Sequence, residues 1–262
     1  MAERAIEIEE GRLVGVETLG DYQWFKERHR VFPAVFENRG HKKIIDLSAG
    51  VGVVAKRVKE QYSPDILCNE ITPTCLKVLQ SAGLDTVSFS LDDPETPFPL
   101  PDGSFDCAIS LVTIEHLSNV DHFLRETNRI LAPGGFLYIA TPNYAAPEYA
   151  LKLLITGRSF HNPLGTMEDR YEFFGHVRYF TYKTLRDYVA SHGFALDTVY
   201  IARPEGGSRY LALLERSRLK ALSYRYLMTT RHQLLPPRWA SEPILCFQKA
   251  TPDGRKLPKV VL

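Results

Sequence analysis

The stretch KKIIDLSAGVGVVAKRV, residues 42–58, decides the fold. An apolar run of strand length, KIIDL (43–47), carries Asp46 near its end. A turn with Gly50 and Gly52 follows, and the basic segment after it has helical spacing. Gly50-x-Gly52-x-x-Ala55 matches the turn that holds a dinucleotide, in which glycines let backbone amides approach a ligand at a helix N-terminus. A tight strand-to-helix turn that binds nothing has the same outline. Two acids bear on the choice. Glu70 ends the next strand in CNEIT, 20 residues after Gly50, where a carboxylate can accept hydrogen bonds from both ribose hydroxyls. It favours a nucleoside without saying which. Asp46 stands ahead of the glycines, where it would repel a pyrophosphate and suit a cation. S-adenosylmethionine, with an ammonium and a sulfonium but no phosphate, fits that pair of acids better than NAD.

The chain around this turn has ordinary globular composition. Of its 262 residues 44% are hydrophobic, enough for a real core. A net charge of +1 gives no global electrostatic case for nucleic acid or an anionic membrane. Cys68, Cys75, Cys107 and Cys246 show no paired zinc-ligand spacing and read as buried free thiols in a reducing compartment. MAERAIEIEEGR lacks the regions of a signal peptide, and no stretch has the apolar length of a membrane span. A soluble, cytoplasmic protein is expected, of unspecified oligomeric state.

Short β-rich runs alternate with helical patterns, which predicts a parallel sheet covered by helices on both faces. The predicted strands are 43–47, 65–69, 86–90, 105–111 and 136–142, with helices near 53–61, 73–82 and 119–131. The last helix stops at Pro133-Gly134-Gly135. An aromatic-rich, irregular stretch, 144–179, precedes a helix from Tyr182 to His192. Runs 195–202 and 243–250 read as an antiparallel pair at the sheet edge. The expected fold is therefore a Rossmann-like, seven-stranded mixed sheet, mostly parallel with an antiparallel edge strand. The expected organisation is a helical cap over 1–40, a cofactor-binding core over 41–202 and a helical insertion with the final strand over 203–250. A flexible tail covers 251–262.

Further motifs lie in order along the chain. DLSAGVG resembles a first motif often written DLGCGxG, with Ser48 in place of a glycine. Glu70-Ile71-Thr72-Pro73, SLDDPETPFPLPDGSFDCAISLVTIEHL, RILAPGGFLYIATPN and GHVRYFTYKTLRDYVASHGF follow. Together they resemble class I S-adenosylmethionine-dependent methyltransferases over roughly residues 20–202, in the branch that modifies sugars and other small molecules. The resemblance implies that Asp46 and the amides of Ser48, Ala49, Gly50 and Gly52 hold the methionyl part. Glu70 would take the ribose, Ile71 the adenine face, and Asp92 or Asp93 the adenine amino group. Leu111 would line the sulfonium through its backbone.

For the acceptor, His116 and His176 are the candidate general bases, with Glu115 beside them. Some related O-methyltransferases bind a divalent metal through E-x-x-E-H. Here Val112 replaces the first glutamate, which weighs against Mg²⁺ held by Glu115, His116 and His176. Residues 144–179, with Asn143, Arg158, Arg170 and Arg178, offer donors and stacking faces for a small-molecule or saccharide hydroxyl. Trp24, Phe25 and Arg28 read as helix packing or as a lid. Segment 208–239 holds seven Arg or Lys and one acid, Glu215. It is either a helical cover for the sheet edge or a surface for a membrane or an acidic partner; the latter would suit a lipid-linked acceptor. An NAD-dependent oxidoreductase and a catalytically degenerate binding protein are the competing readings.

Overall fold

A computed structural model describes residues 2–22, 39–62, 65–158, 175–201, 208–234 and 236–250. Seven strands form one sheet in the order β3-β2-β1-β4-β5-β7-β6. They are β1 (Ile44–Leu47), β2 (Ile66–Asn69), β3 (Asp85–Val87), β4 (Phe105–Leu111), β5 (Leu131–Ala140), β6 (Phe194–Tyr200) and β7 (Ile244–Lys249). The first five pair in parallel. β7 runs against both β5 and β6. The expected antiparallel pair at the edge is formed, with β7 one place in and β6 outermost.

Alternation along the strands sends successive side chains to opposite faces. Ile45, Leu47, Ala108, Leu137 and Ile139 join one core cluster, covered by α4 (Val120–Ile130) and α6 (Tyr182–Ala190) through Phe123, Leu124, Leu185 and Val189. Ile44, Cys68, Cys107, Ile109 and Tyr138 join the other, covered by α2 (Val53–Gln61) and α3 (Pro73–Ser81) through Ala55, Val58 and Leu79. All four cysteines are buried free thiols. Burial on both faces is why these strands read as continuous apolar runs.

The first helix, α1 (Ala2–Arg12), docks on the rim formed by the N-termini of α2 and α3. The Glu10 carboxylate accepts from the Thr74 amide at 2.8 Å and the Thr74 hydroxyl at 2.6 Å. Beyond it Leu13 and Tyr22 bury against Val51, Val53, Cys75 and Val78. Trp24, Phe25 and Arg28 lie outside the described residues, as do Arg170 and the tail from 251.

Two local expectations change. The stretch 144–158 is not irregular: α5 (Pro147–Thr156) starts on a proline at its first position and ends at Gly157 in the left-handed conformation, φ +65°. Second, Pro133-Gly134-Gly135 lies within β5 rather than before it, at an irregularity opposite β4. A Cβ on Gly135 would stand 2.9 Å from the Ala132 carbonyl oxygen and 3.2 Å from that of Asp106, both backbone atoms. Gly135→Ala is expected to destabilise the fold by about 1–3 kcal/mol. Gly11→Ala, in α1 with nothing within 4 Å, should instead be neutral or stabilising by up to about 1 kcal/mol. Urea denaturation of the two variants checks the contrast.

Candidate active site

The sheet order reverses between β1 and β4, so a crevice opens at their carboxyl ends, where open α/β sheets bind ligands. Asp46 sits there on β1, between Cys68 of β2 and Ile109 of β4. It is 4% exposed, and no donor among the described residues reaches its carboxylate. Burial first, and the neighbouring Glu70 carboxylate second, push its pKa up to about 7.

The turn after β1 is pinned to β2, because the amides of Ser48 and Ala49 both donate to the Asn69 carbonyl at 3.0 Å. Ser48 adopts φ +71° with its side chain exposed. It keeps the left-handed conformation a glycine would take, at a cost of roughly 1 kcal/mol. Gly50 and Gly52 are also left-handed, at +57° and +88°. Gly52 caps α2 against Leu79 and Leu84, where a Cβ would come within 2.5 Å and 2.9 Å. Glu70 binds the two loops together. Its Oε2 accepts from the Gly50 amide at 2.9 Å, and its Oε1 from the amides of Ile71 at 2.8 Å and Thr72 at 3.0 Å.

The aspartate doublet divides its duties. Asp92 clamps the start of α4, its Oδ1 accepting from the Asn119 amide at 2.6 Å and its carbonyl from Asn119 Nδ2 at 2.7 Å. Asp93 closes a local turn, accepting from the Glu95 amide at 3.1 Å.

Leu111 ends β4 beside Val112, a β-branched residue at φ +57°, an uncommon conformation that clusters at functional sites. The chain then makes a single 3-10 turn, Ile114–His116. The Glu115 carbonyl accepts from the amides of Val177 at 2.9 Å and Arg178 at 3.1 Å, which docks the segment carrying His176 onto this turn. The rings of His116 and His176 meet edge to face, centroids 4.8 Å apart. One ligand atom from each of Glu115, His116 and His176 lies within 4.8 Å of the others. His176 Nδ1 is bonded to the Tyr144 hydroxyl at 3.0 Å. Gly175 makes room for His116, since a Cβ there would stand 2.9 Å from its Nδ1. The three residues that the sequence offers either as acid–base groups or as a joint metal-ligand set thus form one cluster. Two imidazoles and a carboxylate can pass a proton, or hold a first-row divalent ion more readily than Mg²⁺, which prefers all-oxygen shells.

Two expected acceptor contacts are structural instead. Asn143 is buried and fully engaged: Nδ2 donates to the carbonyls of Arg238 and Ala240, and Oδ1 accepts from the amides of Ala145 and Tyr182. The Arg178 guanidinium donates to the carbonyls of Leu117 and Ser118. Tyr144 is the contributor that sequence reasoning missed. It was one tyrosine among several, and only the fold brings its hydroxyl to His176.

This sheet order with an antiparallel β7 is that of the Rossmann-like methyltransferases. The chain belongs to the family described as "Methyltransferase domain", whose model matches residues 17–199. It is 34% identical over 105 residues to ajmaline N-methyltransferase of Rauvolfia serpentina, covering 37% of this chain and 35% of that one. It is 28% identical over 108 residues to a ubiquinone/menaquinone biosynthesis C-methyltransferase of Hahella chejuensis, covering 38% and 43%. The matched region is thus less than half the length of either relative. Among solved structures, a possible histamine N-methyltransferase of Thermotoga maritima superimposes with TM-score 0.57 at 15% identity, over 94% of this chain and 97% of that one. An S-adenosylmethionine-dependent methyltransferase of Mesorhizobium loti gives 0.53 at 18%, over 88% and 99%. The dinucleotide reading of the glycine turn gives way to this family.

The raised pKa of Asp46 has a consequence for stability. Folded, the group keeps its proton up to about pH 7; unfolded, it loses it near 3.8. Its contribution therefore weakens the fold as pH rises through that window. Asp46→Asn should match the parent near pH 4 and become progressively more stable than it toward pH 8. Melting curves across that range test this, and a gap independent of pH would contradict the burial of a titrating Asp46.

Proposed function

We propose that the chain transfers a methyl group from S-adenosylmethionine to a hydroxyl on an apolar small molecule. The observation that carries the oxygen acceptor is the Glu115–His116–His176 cluster beside the end of β4. Bound S-adenosylmethionine supplies a methyl already activated by its sulfonium. A neutral amine needs no base to meet it, whereas a hydroxyl does. His116 takes the hydroxyl proton. His176, held through its bond to Tyr144, positions His116 from the side, its ring edge to face with that of His116.

The residues of the glycine turn fit the cofactor on their own chemistry. Asp46 is a buried carboxylate to which no described residue donates, as an ammonium ligand requires. Glu70 retains acceptor capacity on Oε2, which takes one amide only, for a ribose hydroxyl. Ile71, the amides of Ser48 to Gly52 and the backbone of Leu111 complete this reading, with Asp92 or Asp93, each already accepting one backbone amide, toward the adenine.

The acceptor class shifts from the initial expectation. Asn143 and Arg178, donors that favoured a free sugar, are spent inside the fold. The acceptor side instead carries α5, with Leu151, Leu153, Leu154 and Ile155 exposed. A phenol, or a saccharide joined to a lipid, suits it. A second reading draws on the C-methyltransferase relatives: removing a phenolic proton also activates the adjacent ring carbon, so the same base serves C-methylation.

Calorimetry with S-adenosylhomocysteine should give saturable heat in the parent, and no heat at high micromolar ligand would overturn the cofactor assignment. Asp46→Asn should weaken binding by about tenfold or more, the size of a lost charge-assisted hydrogen bond. At pH 6 the parent should release a proton on binding, seen as a dependence on buffer ionisation enthalpy, and Asp46→Asn should not.

With phenolic acceptors, His116→Ala should lower kcat about 100-fold or more and leave cofactor affinity unchanged. Tyr144→Phe should have a smaller effect that alters the pH profile. Turnover should survive a chelator. Activity lost to chelation and restored by a first-row metal would make the cluster a ligand set rather than a base.

A further inference from the structure

The segment from 208 to 234 folds as α7 (Ser208–Arg216) and α8 (Arg218–Leu234). On α8 the large apolar residues Leu219, Leu222, Tyr226, Leu227 and Leu234 are all 51% to 77% exposed. At 3.6 residues per turn these five fall within about 140° of one another, on one face. Ala221, which is fully buried, lies on the opposite side. The apolar stripe therefore faces away from the body of the protein, and α8 does not cover the sheet edge with it.

The cations of α8 frame that stripe. By the same helical geometry Arg218 and Arg225 flank it on one side and Lys220 on the other, where Arg231 is taken up by Glu148. Helix α5 adjoins this helix, because Arg231 pairs with Glu148 in its first turn at 2.5 Å. Its Leu151, Leu153, Leu154 and Ile155, 53% to 82% exposed, point around most of its circumference.

We propose that α8 and α5 form a docking surface for an anionic lipid bilayer. An apolar stripe flanked on both sides by long cationic side chains is the arrangement of a helix lying in the plane of a membrane interface: the stripe enters the acyl boundary and the cations reach the headgroups. The segment 208–239 has seven of the chain's cations and one of its acids in a protein of net charge +1, so the attraction is local to this face. No helix among the described residues is long and apolar enough to cross a membrane, and the proposed attachment is peripheral. α5 begins three residues after Tyr144, so docking would bring the bilayer to the acceptor side of the cluster. That last step rests on the methyl-transfer reading; lipid binding does not.

Vesicle sedimentation of the full chain tests the surface with phosphatidylcholine alone and with one quarter phosphatidylglycerol. Binding is expected to the anionic vesicles, at least about tenfold weaker to the neutral ones, and reduced at high salt. Leu222→Glu with Leu227→Glu, and separately Arg218→Glu with Arg225→Glu, should each abolish it. Both pairs should keep the parent's melting temperature and affinity for S-adenosylhomocysteine. No binding of the parent to anionic vesicles overturns the proposal. So does light scattering that finds a dimer which the leucine variants dissociate, since that assigns the stripe to a second copy. Retained vesicle binding in both folded double variants overturns it as well.

Discussion

Two carboxylates brought to the ends of adjacent strands organise this molecule. Asp46 and Glu70 face one crevice because β1 and β2 pair in parallel register, and the Glu70 carboxylate adds to the cost that burial sets on ionising Asp46. The fold treats them differently. Glu70 is surrounded by donors and pulls three amides from two loops onto itself. Asp46 is given none among the described residues and drifts toward its neutral form. One acid is thus committed to the loops, and the other is the buried group on which the proposed cofactor contact rests.

The opposite wall is built by a different device. The segment ending in His176 is held by main-chain hydrogen bonds to Glu115 and by the Arg178 guanidinium on two carbonyls. Its imidazole is therefore positioned by its backbone before any substrate contributes. Left-handed Val112 bends the chain from β4 into the turn that presents Glu115 and His116. A left-handed Val112, the buried carboxyl group of Glu115 and the close approach of Gly175 to His116 thus meet around the carboxyl end of β4.

Much of the frame was legible beforehand. The strand runs near 44–47, 66–69, 105–111 and 244–249 stood out because both faces of each are largely buried, leaving short, mainly apolar runs with few polar residues. The helices 53–61 and 73–81 matched closely for a similar reason, their starts marked by Gly52 and Pro73. Helix α5 was missed although Pro147 and Gly157 bracket it, because its exposed apolar residues have no one-sided period to detect. Asn143 and Arg178 were misassigned because a polar side chain in an aromatic stretch looks the same whether it meets a ligand or a carbonyl of its own chain.

The order of the motifs, the sign of the charge ahead of the glycine turn and the class of fold were properties of the sequence, since each rests on local pattern and residue chemistry. Tertiary structure decided how Ser48 is accommodated, through a backbone angle that the bonds to Asn69 impose. It decided that Glu115, His116 and His176 are one cluster, because about 60 residues of chain return to the same turn. It also decided which way α8 faces. A helical stripe is visible in the letters, but whether it meets the core or the solvent depends on what lies behind it, and there the buried residue is Ala221.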